Sequence, residues 1–315
     1  MTLSRPSAIV TLGTRTLTAP EAGLASLSVH LKRGAHDRVE LTFWPKSKFA
    51  SAATGDEASV KLGPKDSEVD VWSGTLTSVE RTPTLLVVIG HAPTAALTSE
   101  RKANTYLAQT LGDIVRDLAG SVTIDALDAD ADVPYYAVDQ RRAVWGHLLD
   151  LASLSGHEVT CSPTGGLRFQ PVSALPSTTR FRFGAELLGW GADPQTRLTP
   201  PTFAAHGSAS ESGSDKWHWL NPDPTSGSGG AQVIGGFHAR AQAEALTTAV
   251  AERATRAALT GDVELVGQPT LRVGDVFTLS DLPTGDVGPV RAVGVVHTLD
   301  GRRGFRTLAH FEGVA

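Results

Sequence analysis

The sequence predicts a mainly β protein carrying an α+β insert. Three observations lead there. Residues from about Ser7 to Pro93 alternate apolar with polar residues in short runs separated by Gly, Pro, Asp or Ser, the pattern of strands with one face in a core. Between about Thr98 and Pro171 the apolar spacing lengthens to that of helices before a hairpin restores alternation. From Thr260 to Phe311 short alternating runs return, bounded by Gly, Pro and Asp.

In chain order, the first strands are expected over residues 8–12, 26–32, 37–44, 58–62, 70–80 and 84–91. In the second of these, Ser26, Ser28, His30 and Lys32 alternate with Leu27, Val29 and Leu31, so one face meets a core and the other solvent. Gly74 inside the Trp72-Ser73-Gly74 step marks a bulge or sharp bend. A small sandwich or barrel accounts for this region. A helix is expected over Tyr106 to Ala119, capped by Asn104 or Thr105, with Leu107, Leu111, Ile114, Val115 and Leu118 on one side. A short strand at 122–124, an acidic loop at 128–132 and an extended run at 135–138 come next. A second helix, about Arg142 to Leu154, is stopped by Gly156. The hairpin pairs His157–Cys161 with Leu167–Pro171 across the turn at 163–166.

Alternation resumes over residues 179–190, with a further strand at 203–207. A polar turn (208–214), the aromatic Trp217-His218-Trp219 and a low-complexity glycine-serine loop (223–230) follow. Ala239 to Ala258 reads as an Ala-rich helix, whose small side chains allow another element to approach closely. Three divisions result: 1–95, the α+β insert at 96–174, and 175–315.

The closing block contains Gly267, Pro269, Leu271, Gly274 and Asp275, then Val293, Val296 and His297, then Gly304 and Thr307. With the helix before it and the strand order around it, this block resembles the C-terminal barrel of the tail-hub family. That family includes phage late control D proteins, hub proteins of contractile phage baseplates and the front part of the type VI spike protein VgrG. The Trp72-x-Gly74-x-Leu76-x-x-Val79 run resembles the Phe/Val-x-Gly-x-Ile/Leu-x-x-Val pattern of its first barrel, and residues 141–156 with the Gly166-Leu167-Arg168-Phe169 hairpin resemble its insert. Here Asp139 and Gln140 stand where the family's helix has a Ser-Asp cap.

The resemblance implies two tail-hub-type β-barrels flanking the insert. It implies a homotrimer whose six barrels present pseudo-sixfold symmetry, a symmetry adaptor between a hexameric tail tube and a threefold spike. Tube protein, spike protein and other baseplate proteins are the implied partners. The role is structural, without catalysis. The chain ends soon after the second barrel, so a separate spike protein is expected. The particle would be a phage, a tailocin or a contractile injection system, and the subunit a virion or particle component.

Composition narrows the alternatives. The 315 residues are 41% hydrophobic and 19% charged, enough for two or three small cores. A net charge of -5 offers no phosphate-neutralising surface, which argues against specific nucleic-acid binding. No apolar signal core opens the sequence, and Leu85–Ile89, its longest apolar run, is too short to span a bilayer. Cytoplasmic synthesis without membrane insertion is the expectation. The single cysteine, Cys161, alternates with Val159 and reads as a sheet-face residue.

No nucleophile elbow, zinc motif or phosphate loop is present, and the ten histidines are scattered singly. Neither a catalytic residue nor a cofactor is expected. Asp128, Asp130 and Asp132 resemble the start of a calcium loop, but Val133 holds the sixth position, where the turn needs glycine. Trp217 and Trp219 are candidate partner contacts. They also sustain the alternative function, a carbohydrate- or receptor-binding β protein.

Overall fold

The computed structural model describes residues 5–172, 179–194, 203–208, 218–222, 232–237 and 240–314. The N-terminal region forms β1 (Pro6–Leu12), β2 (Arg15–Thr18), a one-turn helix α1 (Ala19–Ala22), β3 (Leu24–Lys32), β4 (Arg38–Phe43), β5 (Glu57–Pro64), β6 (Val69–Arg81) and β7 (Leu86–His91). Period-two patterning sets which face each strand buries. Ala8, Val10 and Leu12 point inward from β1, Leu27, Val29 and Leu31 from β3, and Val39, Leu41 and Phe43 from β4.

The insert comprises a 3-10 turn (Pro93–Thr98), β8 (Asn104–Thr110), α2 (Leu111–Ala119), β9 (Ile124–Leu127), β10 (Asp132–Val138), α3 (Val144–Ser155), β11 (His157–Cys161) and β12 (Leu167–Pro171). Ile114, Val115 and Leu118 of α2 meet Leu148 and Leu151 of α3 and Phe169 of β12 in a core of its own. The helix expected from Tyr106 starts five residues later. Residues 104–110 instead pair antiparallel with β10, Tyr106 opposite Tyr136 and Leu107 opposite Tyr135. Two facing aromatics stabilise that ribbon, and Thr110 takes over as cap, its Oγ1 accepting from Asp113 N at 3.1 Å. Gly156 does end α3, in the left-handed conformation.

The C-terminal region holds β13 (Arg180–Arg182), β14 (Leu187–Pro194), β15 (Phe203–Ser208), β16 (His218–Pro222), β17 (Gln232–Phe237), α4 (Arg240–Ala257), β18 (Leu259–Val266), β19 (Val276–Ser280), β20 (Val287–Asp300) and β21 (Gly304–Gly313). Strands β15, β16 and β17 form a small separate sheet beside α4. The Ala-rich helix packs closely: a Cβ built on Gly156 at the end of α3 would lie 3.3 Å from Ala249 Cβ.

The two strand-rich regions join edge to edge. Strand β20 pairs with β3, Gly294 opposite Lys32 through to Asp300 opposite Ser26. One sheet results, with 13 strands among the described residues and the main path β14-β18-β21-β20-β3-β4-β7-β6-β5-β1-β2. Its inner face shares one core, from Ala8 and Trp72 to Phe277 and Phe311. The fold is therefore mainly β with an α+β insert.

Gly74 and Gly90 make room for the buried Trp72 indole. A Cβ at Gly74 would sit 2.1 Å from His91 O and 2.6 Å from Trp72 Cζ2, and one at Gly90 2.6 Å from Cη2. Register shifts flank the glycine rather than fall on it, one at Val60/Lys61, opposite Trp72 and Asp70, and one at Leu76/Ser78 against β7. Gly74→Ala is expected to cost about 3 kcal/mol through overpacking, measured as a lower urea midpoint with unchanged m-value.

Candidate functional site

Part of the closing block's motif forms one buried lock, in which His297 and Thr307 hold the segment that Gly267 and Gly274 bound. The segment 267–275 crosses from β18 to β19, and the sheet closes over it. Gly267 permits the crossing by close approach: a Cβ there would lie 2.1 Å from the Phe305 ring. Gly274 takes φ +98°, a conformation that favours glycine. Its N–H donates to Ala292 O at 2.9 Å, and Ala292 N–H returns a bond to Asp275 O at 2.9 Å.

His297 and Thr307 sit opposite each other on β20 and β21, both without solvent exposure. Thr307 Oγ1 accepts from Gln268 N–H at 2.9 Å and lies 3.0 Å from His297 Nδ1. On the other side of the ring, Arg272 Nη1 is 3.5 Å from His297 Nε2. A neutral ring protonated at Nδ1 suits both neighbours, donating to Thr307 and turning its lone pair to the guanidinium. Burial, then the Arg272 charge, hold the His297 pKa down at about 3. Arg272 also donates from Nη1 to Pro269 O at 2.8 Å and from Nη2 to Asp70 O at 2.6 Å. That last bond ties the crossing segment to β6 in the N-terminal half.

Beside the lock, Asp37, Cys161, Thr160, Arg168 and Arg272 line a small buried niche where the N-terminal half, the insert and the crossing segment meet. Asp37 is 4% exposed. Burial pushes its carboxyl up to about 8, against the opposing influence of Lys32 N–H and Arg272. Cys161 is buried on β11, with Sγ 3.1 Å from Thr94 Oγ1. Its thiol is driven to about 12 by burial and then by Asp37, the reverse of a reactive cysteine.

Val296 lies on β20 next to His297 and is half-buried. Gly304 opens β21 at φ +72°, after a turn in which Asp300 Oδ1 accepts from Arg302 N–H and Arg303 N–H. Trp217 and the loop 223–230 lie outside the described residues, and Trp219 is placed only as a backbone position on β16. Asp128, Asp130 and Asp132 are exposed. Among the described residues, no three carboxylate, histidine or cysteine groups converge as a metal site.

Sequence reading passed over Arg272, Asp37, and two ion pairs of the outer face, one of which docks the insert. Arg291 of β20 pairs with Glu158 of β11, and Arg33 grips Glu312 through two bonds of 2.6 and 2.9 Å. In an alternating strand such residues read as solvent-facing. Here the insert and α4 cover that face.

This architecture defines a class: a chain whose two strand-rich halves share a sheet around a docked α+β insert. Solved proteins with this fold include tail proteins and a type VI secretion component. The tail protein from Neisseria meningitidis MC58 matches 98% of this chain and 96% of its own, with a TM-score of 0.74 at 13% identity. The 43 kDa tail protein of prophage MuSo2 from Shewanella oneidensis matches 97% of this chain and 98% of its own, with a TM-score of 0.72 at 13% identity. An E. coli component of the type VI secretion system, described as structurally similar to T4 bacteriophage tail proteins, matches 97% of this chain and 75% of its own at TM-score 0.61 and 10% identity. No protein-family model matches the sequence, and no curated protein matches it. The likeness is one of fold, and it is the fold that the tail-hub resemblance implied.

Thr307→Val removes the hydroxyl while keeping the shape. It leaves Gln268 N–H and His297 Nδ1–H without an acceptor, at an expected cost of about 2–3 kcal/mol in chemical denaturation. Asp37 has a folded pKa raised above its ordinary 3.8 to about 8. Its proton is held by the folded chain and released by the unfolded one across that window, so its contribution is lost as pH rises toward 8. The buried His297 and the half-buried His36 act in the opposite sense, with pKa values depressed to about 3 and about 4, chiefly by lost hydration. Their contribution is lost as pH falls below about 6.5. Wild type is expected to lose about 2 kcal/mol relative to Asp37→Asn between pH 6 and 8, read from parallel denaturation curves.

Proposed function

We propose that the chain is a structural hub subunit of a phage tail or contractile injection-system baseplate. In this reading residues 1–95 and 175–315 supply two barrel-like halves, and 96–174 the insert. Three copies form a pseudo-sixfold ring that adapts a hexameric tail tube to a threefold spike carried by a separate protein. The observation that supports it best is the near end-to-end match, over 98% and 97% of this chain, to two tail proteins.

The chemistry of the lock favours a structural role. Arg272, His297 and Thr307 spend their hydrogen bonds on the crossing segment and on Asp70 O, as struts do. The surface favours assembly. Phe183, Leu188 and Val266 are 44%, 43% and 45% exposed, and the pairings of β14 bring them together near the end of the sheet path. A cluster of exposed apolar side chains at a sheet edge suits contact with another subunit.

Light scattering of the purified full chain, followed by negative-stain class averages, tests the proposal. The expected result is three times the monomer mass and a ring of six similar lobes around a central hole. A monomer that also binds neither tube nor spike protein would sink it.

A further inference from the structure

A second polar cluster lies on the outer face of the sheet, where β20, β21, β11, α4 and the segment after β3 come together. Four arginines meet there: Arg33, Arg253 and Arg256 of α4, and Arg291. Glu312 serves three of them. It accepts Arg33 at 2.6 Å, while Arg256 Nε stands 3.5 Å away and Arg291 Nη1 3.8 Å. Glu158 pairs with Arg291, and Glu252 lies 3.4 Å from Arg256 Nη1. Among the described residues, four guanidinium groups thus face three carboxylates, and the one left without a carboxylate partner is that of Arg253, an exposed residue at the mouth of the cluster.

The excess shows in the hydrogen bonding. Arg256 is 6% exposed and Arg291 2%. Among the described residues, Arg256 Nε, Arg291 Nε and Arg291 Nη1 are buried donors with no hydrogen-bond partner, and Glu158 Oε2 is a buried acceptor with none, a costly state for charged groups. Among the described residues, Arg253 bonds to neutral partners, Ser153 Oγ at 3.1 Å and Ser153 O at 3.4 Å. Lost hydration, then repulsion from Arg256 and Arg33, lower its pKa.

These side chains border a cavity. A space of about 210 Å³ opens between α3 and α4, lined by Arg33, Arg253 and Arg256, by one acidic residue, Glu158, and by His157 and Ser153. At about 30 Å³ of liquid volume per water, it has room for one oxyanion and a few waters. Guanidinium forks suit carboxylate and phosphate groups.

We propose that this cavity binds one oxyanion, a carboxylate or phosphate group, between Arg253 and Arg256. The anion neutralises the surplus charge and accepts from Arg256 Nε. It also fastens α4 to the insert, because its ligands on α4 face Ser153 of α3. The site does not depend on the oligomeric state proposed above.

The test is the melting temperature of the full chain in inorganic phosphate, in acetate and in chloride at matched ionic strength. Phosphate is expected to raise Tm saturably, by about 3 °C at concentrations well above Kd. Arg253→Gln should lose that response while melting normally in chloride. Ser153→Asp places a carboxylate in the cavity. It should raise Tm in chloride and abolish the response to phosphate. An acetate response equal to that of phosphate assigns the site to a carboxylate, such as an acidic side chain of a partner. A response to phosphate alone assigns it to a phosphate group. No phosphate response in wild type overturns the proposal, as does an undiminished response in either Arg253→Gln or Ser153→Asp.

Discussion

The antiparallel pairing of β3 with β20 holds the molecule in one piece. Strand β20 is 14 residues long and carries three partners: β19 near its start, β21 along most of its length and β3 over its second half. The pairing aligns the inward residues Leu27, Val29 and Leu31 of β3 with the inner face of the C-terminal strands, so one core replaces two. It also aims the segment after β3. Arg33 N–H donates to Val293 O at 3.1 Å and Gly34 N–H to Val159 O at 2.9 Å. A register slip of one residue would turn the inward set outward and carry Arg33 and Asp37 away from their partners. The insert is thus located by the same ladder that joins the halves.

Two buried polar assemblies sit on either side of this ladder and are built differently. In the lock, donors and acceptors match: Arg272 satisfies backbone oxygens, and the His297–Thr307–Gln268 relay closes without a formal carboxylate. Such a network rigidifies what it crosses. The arginine cluster over the outer face is left with unpaired donors and surplus charge. The first looks finished within the chain; the second is where the chain still has bonding capacity to offer.

Much of the fold was readable from residue order, because most strands expose one face and so alternate. The helix at Tyr106 failed for a definable reason. Leu107, Leu111, Ile114, Val115 and Leu118 do fit a helical spacing, but the β8–β10 ribbon buries Tyr106 and leaves Leu107 exposed, a tertiary pairing that local periodicity does not contain. Gly267, Gly274, His297 and Thr307 were singled out as motif residues, yet nothing in their spacing revealed that His297 and Thr307 hold the segment between the two glycines, or that Arg272 reaches the His297 ring. That arginine occupies an unremarkable position between Leu271 and Val273. Arg291 was unreadable for a related reason: one face of β20 lies on the core and the other lies under the insert and α4, so alternation no longer separates buried from exposed.

The β3–β20 ladder has a kinetic side. Its partners are separated by most of the chain, which raises contact order and slows the search for the native register. During synthesis the strands β1 to β7 emerge long before β20, and until β20 arrives β3 is an open edge carrying Leu27, Val29 and Leu31. Open edges of this kind invite pairing with other chains. The time spent between making the first half and capping it is therefore the interval in which this chain is most exposed to aggregation, and the late strand acts as the cap that ends it.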